Sequence, residues 1–281
     1  MSYTTVVESS IWPSMNAGMA LERTSHRAFI AVSALLFVSS AALTIYLSAS
    51  MSAMPGMPMP GGGTMSMVWM TMPGQTKIEA TASFLGMWVV MMMAMMLPSL
   101  VPMLWRYRQA AGWRGESRLG RLTLIAGVGY FFVWTLFGLL LFPLGVALAA
   151  WEMELPALAR AVPVAVAIVV LIAGGLQFHP WKAHHLGRCR EAPGPGRTLV
   201  ADTATAWRQG VRFGLHCGLS CANLTAVLLV IGVMDPRAMA LVTAAITAER
   251  LAPAGEFVAQ AIGAVVVGTG LVLLVRAAGL A

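Results

Sequence analysis

Residues 87–98 read MWVVMMMAMMLP, and they lie inside a longer run, residues 83–105, that contains no charged side chain. A helix of that length crosses the ~30 Å hydrocarbon core of a bilayer, so this stretch decides the fold class. Its apolarity is continuous, without the alternation of a barrel strand, and only a helix satisfies such a backbone in lipid. Similar runs recur at residues 28–48, 122–149, 161–178, 213–233, 237–252 and 256–276. With 10% charged residues and a mean hydropathy of +0.78, they predict an all-α, polytopic transmembrane helical bundle of about seven spans. The run at 237–252 is short and ends in Glu249 and Arg250. Six spans plus a short or re-entrant segment is therefore the alternative.

A net charge of +7 would suit nucleic acid in a soluble protein, but here the basic residues serve topology and the partner is the lipid bilayer. With the N-terminus cytoplasmic, 14 of the 18 Lys and Arg residues fall inside, and only Lys77, Arg160, Arg237 and Arg276 fall outside. The expected organisation is a poorly ordered cytoplasmic leader (1–27), a first span (28–48) and an external Met/Pro/Gly-rich loop (49–82). A six-span metal-binding membrane domain (83–276) and a short tail (277–281) follow. The expected location is the inner (plasma) membrane, multi-pass.

Fifteen of the 21 methionines fall between Met51 and Met103. In the loop, Met51, Met54, Met57, Met59, Met65, Met67, Met70 and Met72 stand two or three residues apart on a Pro/Gly-rich chain with no core to fill. Thioethers are soft, neutral ligands that select Cu(I) over hard cations, so this segment reads as an external metal-capture site. Within residues 83–105, Met87, Met91 and Met95 recur at i, i+4 and i+8 and share one helix face, while Met92 and Met96 form a second row. The plain alternative is lipid-compatible filler. The ligand reading requires the 87, 91, 95 face to point into the bundle.

A second concentration lies between residues 179 and 221, which hold His179, His184, His185 and His216 and all three cysteines, Cys189, Cys217 and Cys221. His185 with Cys189, and Cys217 with Cys221, each have i, i+4 spacing. Such a pair lies ~5–6 Å apart at Cβ, too far for a disulfide, and the charge count puts it on the reducing side of the membrane. A ligand set of thiolate and imidazole suits Cu(I) or Zn(II). The methionines favour copper, with zinc as the alternative. Carboxylates are nearly absent from the spans; Glu249, at the inner end of its run, is the one candidate, and an interfacial pair with Arg250 is its structural reading. No HExxH, P-loop, GxSxG or dinucleotide fingerprint occurs, which argues against a zinc protease or an ATP-driven pump.

The motifs FLGMWVVMMMAMMLPSLVPML, LIAGGLQFHPWKAHHLGRCR and GVRFGLHCGLSCANLTAVLLVIGVMD, followed by ERLAP, resemble a bacterial family of predicted metal-binding integral membrane proteins, catalogued as a domain of unknown function. The resemblance covers roughly residues 83–252, and Cys189 and Cys221 match its pattern best. Where the family often has Cys, this chain has His185, and where it often has His, Arg188. Leu224 and Thr225 replace a downstream Cys pair. The resemblance implies a metal-binding membrane protein.

The expected function is copper handling. Cu(I) is captured by the loop, passed along the methionines of the second span, and received by an inner-face Cys/His site for transport or for delivery to a copper enzyme. A copper chaperone or a copper-dependent membrane enzyme is the expected protein partner. The competing classes are a membrane oxidoreductase using thiols or a metal redox centre, and an accessory subunit of a larger metalloenzyme complex.

Overall fold

The computed structural model describes residues 4–52, 57–58, 64–65, 69, 74–111, 116–190, 202–233 and 235–279. Eight helices lie among them: α1 (Thr4–Ser52), α2 (Lys77–Ala111), α3 (Glu116–Glu154), α4 (Pro156–Leu176), α5 (Pro180–Arg190), α6 (Thr203–Gly232), α7 (Pro236–Leu251) and α8 (Gly255–Ala277). A two-residue antiparallel ladder joins β1 (Met57–Pro58) to β2 (Thr64–Met65). The helical backbone of α1 already begins at Thr4, inside the leader.

Six of these helices are long and apolar enough to cross a membrane, and the fold is a polytopic helical bundle. The apolar run at 237–252 forms α7, whose 16 residues extend about 24 Å, short of the hydrocarbon thickness. Six membrane-length helices and one shorter apolar helix are therefore what the described residues contain. Residues 83–276 accordingly carry five membrane-length helices and α7, where the sequence predicts six spans.

Local sequence sets the helix ends. At the start of α2 a capping box closes on itself: the Thr76 N–H donates to Glu79 Oε2 (2.8 Å) and the Glu79 N–H to Thr76 Oγ1 (3.3 Å). Asp202 caps α6 by accepting from the Thr205 N–H. Asp235 and Pro236 start α7, and it stops where Ala252, which precedes Pro253, turns extended (ψ 138°).

Helices α2 and α6 are central, with 50% and 56% of their most apolar windows buried, whereas α1 and α8 bury 11% and 17% and form the flanks. α6 reaches the centre because its α3-facing side is small. Ala206, Gly210, Gly214 and Gly218 recur every fourth residue, and a Cβ on Gly210 would stand 2.1 Å from the Ala126 carbonyl oxygen of α3. Such a stripe lets two membrane helices approach backbone to backbone. It seats the Cys217 and Cys221 segment against α3. α4 and α8 pack through the same device, with Gly263 and Gly270 of α8 against Gln177 and Leu171.

Candidate metal centre

Both methionine rows of α2 face inward. Met91 (1% exposed), Met92 (0%), Met95 (2%) and Met96 (0%) are buried in one core cluster with Met103, and Met87 packs against it half-buried. The 87, 91, 95 face therefore points into the bundle. Its far end is closed by aromatics: Trp69 lies 5.4 Å from Phe84 (ring centroids), Phe84 lies 4.9 Å from Phe142, and the Trp88 indole donates to the Trp134 carbonyl (2.8 Å). Met51 packs against the same cluster from the end of α1.

Of the expected capture residues, Met54, Met59, Met67, Met70 and Met72 lie outside the described residues. Met57 and Met65 are register partners in the β1–β2 ladder.

The thiols meet this methionine column midway along α6. Cys217 Sγ stands 3.9 Å from Met96 Sδ and 2.7 Å from the Tyr130 hydroxyl of α3, with Cys217 and Met96 fully buried. Cys221, one turn on, donates to the Cys217 carbonyl (2.9 Å) and lies 3.8 Å from the Gly218 carbonyl. All three cysteines are free. Cys217, Cys221 and Met96 thus lie in one buried core cluster at the junction of α2, α3 and α6, with Cys217 in contact with Met96. A soft d10 ion about 2.3 Å from each sulfur in trigonal geometry would space the sulfurs about 4 Å apart. The Cys217–Met96 pair is already at that separation.

The histidines are not part of this cluster. His185 on α5 and His216 on α6 oppose each other with Nδ1 atoms 3.3 Å apart, partly exposed, and the His184 ring lies edge-on to His185 at 5.4 Å. The 3.3 Å separation is a hydrogen-bond distance between the two rings, and it is also the spacing that two nitrogens about 2.0 Å from one tetrahedral ion would have. Partial burial, reinforced by the neighbouring His184 and Arg188, holds the His185 imidazole below its ordinary pKa and leaves a lone pair available. His179 is exposed and accepts from the Trp181 N–H (3.1 Å) at the start of α5, a capping role. Cys189 is buried beside Ser220 Oγ (3.8 Å), and burial pushes its thiol pKa up. Among the described residues no three His, Cys, Asp or Glu side chains converge on one point; Cys189, Cys217 and Cys221 are buried, whereas His185 and His216 meet in a partly exposed pair.

A charged layer lies against Cys217. Glu249 is not an interfacial partner of its chain neighbour. It is 2% exposed and pairs with Lys182 Nζ at 2.7 Å, while the Gln177 amide donates to its other oxygen (2.9 Å). Adjacent residues on a helix point about 100° apart, so Arg250 turns a different way. It donates to Ser99 Oγ (3.3 Å), the Cys217 carbonyl (3.2 Å) and Ser220 Oγ (2.9 Å). Lys182 donates to the Ser220 carbonyl. Arg108, likewise buried, donates to Ser25 and Thr123. These three cations are therefore protein-buried groups and not the surface anchors that the charge count assumes. Tyr130, Ser99, Ser220, Gln177 and Lys182 are site residues that motif spacing did not indicate. The Ala206–Gly218 stripe was the available signal that α3, and with it Tyr130, would close on Cys217.

The fold is a helical bundle with six membrane-length helices that buries three cysteines and five methionines of its α2, α5 and α6 segments in the core. Residues 85–273, about two thirds of the chain, match the model of the PpoB2 copper chaperone family, and the chain belongs to that family. No curated protein and no solved structure matches the chain. The donors fit the metal that the family description names: two thiols and a thioether, all uncharged or singly charged soft ligands, suit Cu(I).

Proposed function

We propose that the protein is a membrane Cu(I) carrier that delivers the ion to a copper-dependent enzyme. The Met-rich segment 51–72 captures Cu(I), the rows Met87–Met91–Met95 and Met92–Met96 conduct it, and Cys217, Cys221 and Met96 hold it. The His185–His216 pair is the point at which the ion is passed on. Exchange among thioether, thiolate and imidazole changes ligands one at a time and needs no redox step, and a row of weak sites permits both loading and release. The observation that carries this reading is the 3.9 Å approach of Cys217 Sγ to Met96 Sδ at full burial, where a methionine column ends on a thiol.

Anaerobic titration of the detergent-purified chain with Cu(I), against a chromophoric Cu(I) chelator, tests it. The chain should retain Cu(I) at the sulfur pocket, and Cys217→Ser with Cys221→Ser should lose one equivalent. Unchanged stoichiometry in that double variant would reject the pocket as the holding site.

A further inference from the structure

The His185–His216 pair sits on a face of one sign of charge. α5 and α6 contain no Asp or Glu, yet they carry Lys182, Arg188, Arg190, Arg208 and Arg212. Lys182 is buried against Glu249 at 2.7 Å. Arg188 and Arg212 are instead exposed. Arg188 stands three residues after His185, and Arg212 four residues before His216, so each guanidinium shares a helix face with one histidine. Arg188 acts electrostatically on both rings, and Arg212 on His216. Among the described residues no carboxylate pairs with either arginine. Asp202, at the start of α6, caps that helix and lies nearer Arg208, and Glu249 faces Lys182. Trp181, 37% exposed, stands edge-on to His185 at 4.8 Å and adds an aromatic to the same face.

This charge acts in two ways. A monovalent ion on two neutral imidazoles keeps its full positive charge, and the nearby guanidiniums repel it, so the pair is a weak place to hold an ion and a good place to lose one. A face of one sign also gathers partners of the opposite sign and raises their encounter rate by about 10–1,000-fold. Exposed Trp and Arg are side chains that protein interfaces favour.

We infer that Arg188 and Arg212 form a docking rim around the His185–His216 pair for an acceptor protein whose own Cu(I) site is surrounded by carboxylates. This rests on the reading of that pair as the point at which the ion is passed on. The two arginines lie on different helices, α5 and α6, and flank opposed ligand nitrogens that reach the surface. That placement favours an acceptor over an anionic lipid headgroup, which needs only the charge.

The test uses the detergent-purified full chain, loaded anaerobically with Cu(I), and two synthetic Cys-x-x-Cys peptides as acceptors, one flanked by glutamates and the other by lysines. Stopped flow reads the transfer rate to each. Wild type should transfer to the acidic peptide about tenfold faster than to the basic one at ~10 mM salt, and the difference should vanish near ~1 M, where the Debye length shrinks to ~3 Å. Arg188→Gln with Arg212→Gln should lower the acidic-to-basic rate ratio by about tenfold, and the matching double Lys variant should keep it. Both arginines are exposed, so these variants remove no core packing. Equal rates for the two peptides in wild type, or an unchanged ratio in the Gln variant, overturns this inference and leaves the copper-carrier reading standing. Rates that follow the anionic-lipid content of nanodiscs and not the peptide charge make the arginines lipid anchors and overturn it as well. Absence of any Cu(I) bound at the thiols overturns both readings.

Discussion

The Sδ atom of Met96 on α2 stands 3.9 Å from the Sγ atom of Cys217 on α6, across 121 residues of chain. The contact joins the two parts of the sequence that are richest in soft ligands. Replacing the thioether with an isosteric hydrocarbon keeps the packing and removes the ligand, since Leu for Met conserves volume. Met96→Leu should leave the melting temperature within a few degrees of wild type and weaken Cu(I) retention by at least about tenfold, the lower end of what losing even a group outside the ligands costs. Chelator competition beside a thermal melt in detergent separates the two effects. A melt that falls together with affinity would show that Met96 acts through packing.

The close approach of α3 and α6 has its own test. A methyl group on Gly210 would meet backbone, the Ala126 carbonyl at 2.1 Å, which cannot swing aside. Gly210→Ala should cost about 1–3 kcal/mol through overpacking. Gly175→Ala, where nothing stands within 4 Å of the added Cβ, should be near neutral. Equal melting temperatures for the two variants would mean that the stripe is not an interface.

The buried pair Lys182–Glu249 should behave asymmetrically. Lys182→Met strands a carboxylate that is 2% exposed, and breaking a buried pair from one side costs about 3–5 kcal/mol. The double variant Lys182→Met with Glu249→Gln removes both charges and should recover most of that loss. A double-mutant cycle in detergent gives the coupling directly, and additive losses would refute it.

Holding and passing on should come apart at the histidines. His185→Ala with His216→Ala spares the sulfur pocket, so Cu(I) stoichiometry at the thiols should stay at the wild-type value while transfer to an external Cu(I) acceptor slows. Stopped-flow transfer after loading reads this. Unchanged transfer would place the release point elsewhere.

Deletion of residues 53–73 should lower total bound copper, measured by elemental analysis, without removing the equivalent held by the thiols. Loss of the thiol-bound ion as well would mean that the capture segment also completes the inner pocket.

The helical class, the approximate span positions and the sharing of one helix face by Met87, Met91 and Met95 were legible in the chain, because hydropathy and i, i+4 periodicity are local properties of a helix. The family resemblance, most specific at the Met-rich motif and at the segment from Lys182 to Arg190, is consistent with the copper chaperone family model that matches residues 85–273. The shortness of α7 was written in Asp235-Pro236 and in Ala252-Pro253, which bracket 16 helical residues.

Other features had no local signature. Glu249 and Arg250 are neighbours in sequence, yet helical geometry sends one to Lys182 and the other to Ser99, Ser220 and Cys217. His216 and Cys217 are likewise adjacent, and the same rotation puts one beside His185 and the other against Met96. The sequence by itself determined which residues could bind a soft metal and that they lie on membrane helices, since both follow from side-chain chemistry and apolar length. Only the tertiary structure decided which of them share a site. That choice depends on how closely α3 and α6 approach over bare glycine and on which face of each helix is turned inward, and neither is set within a single segment.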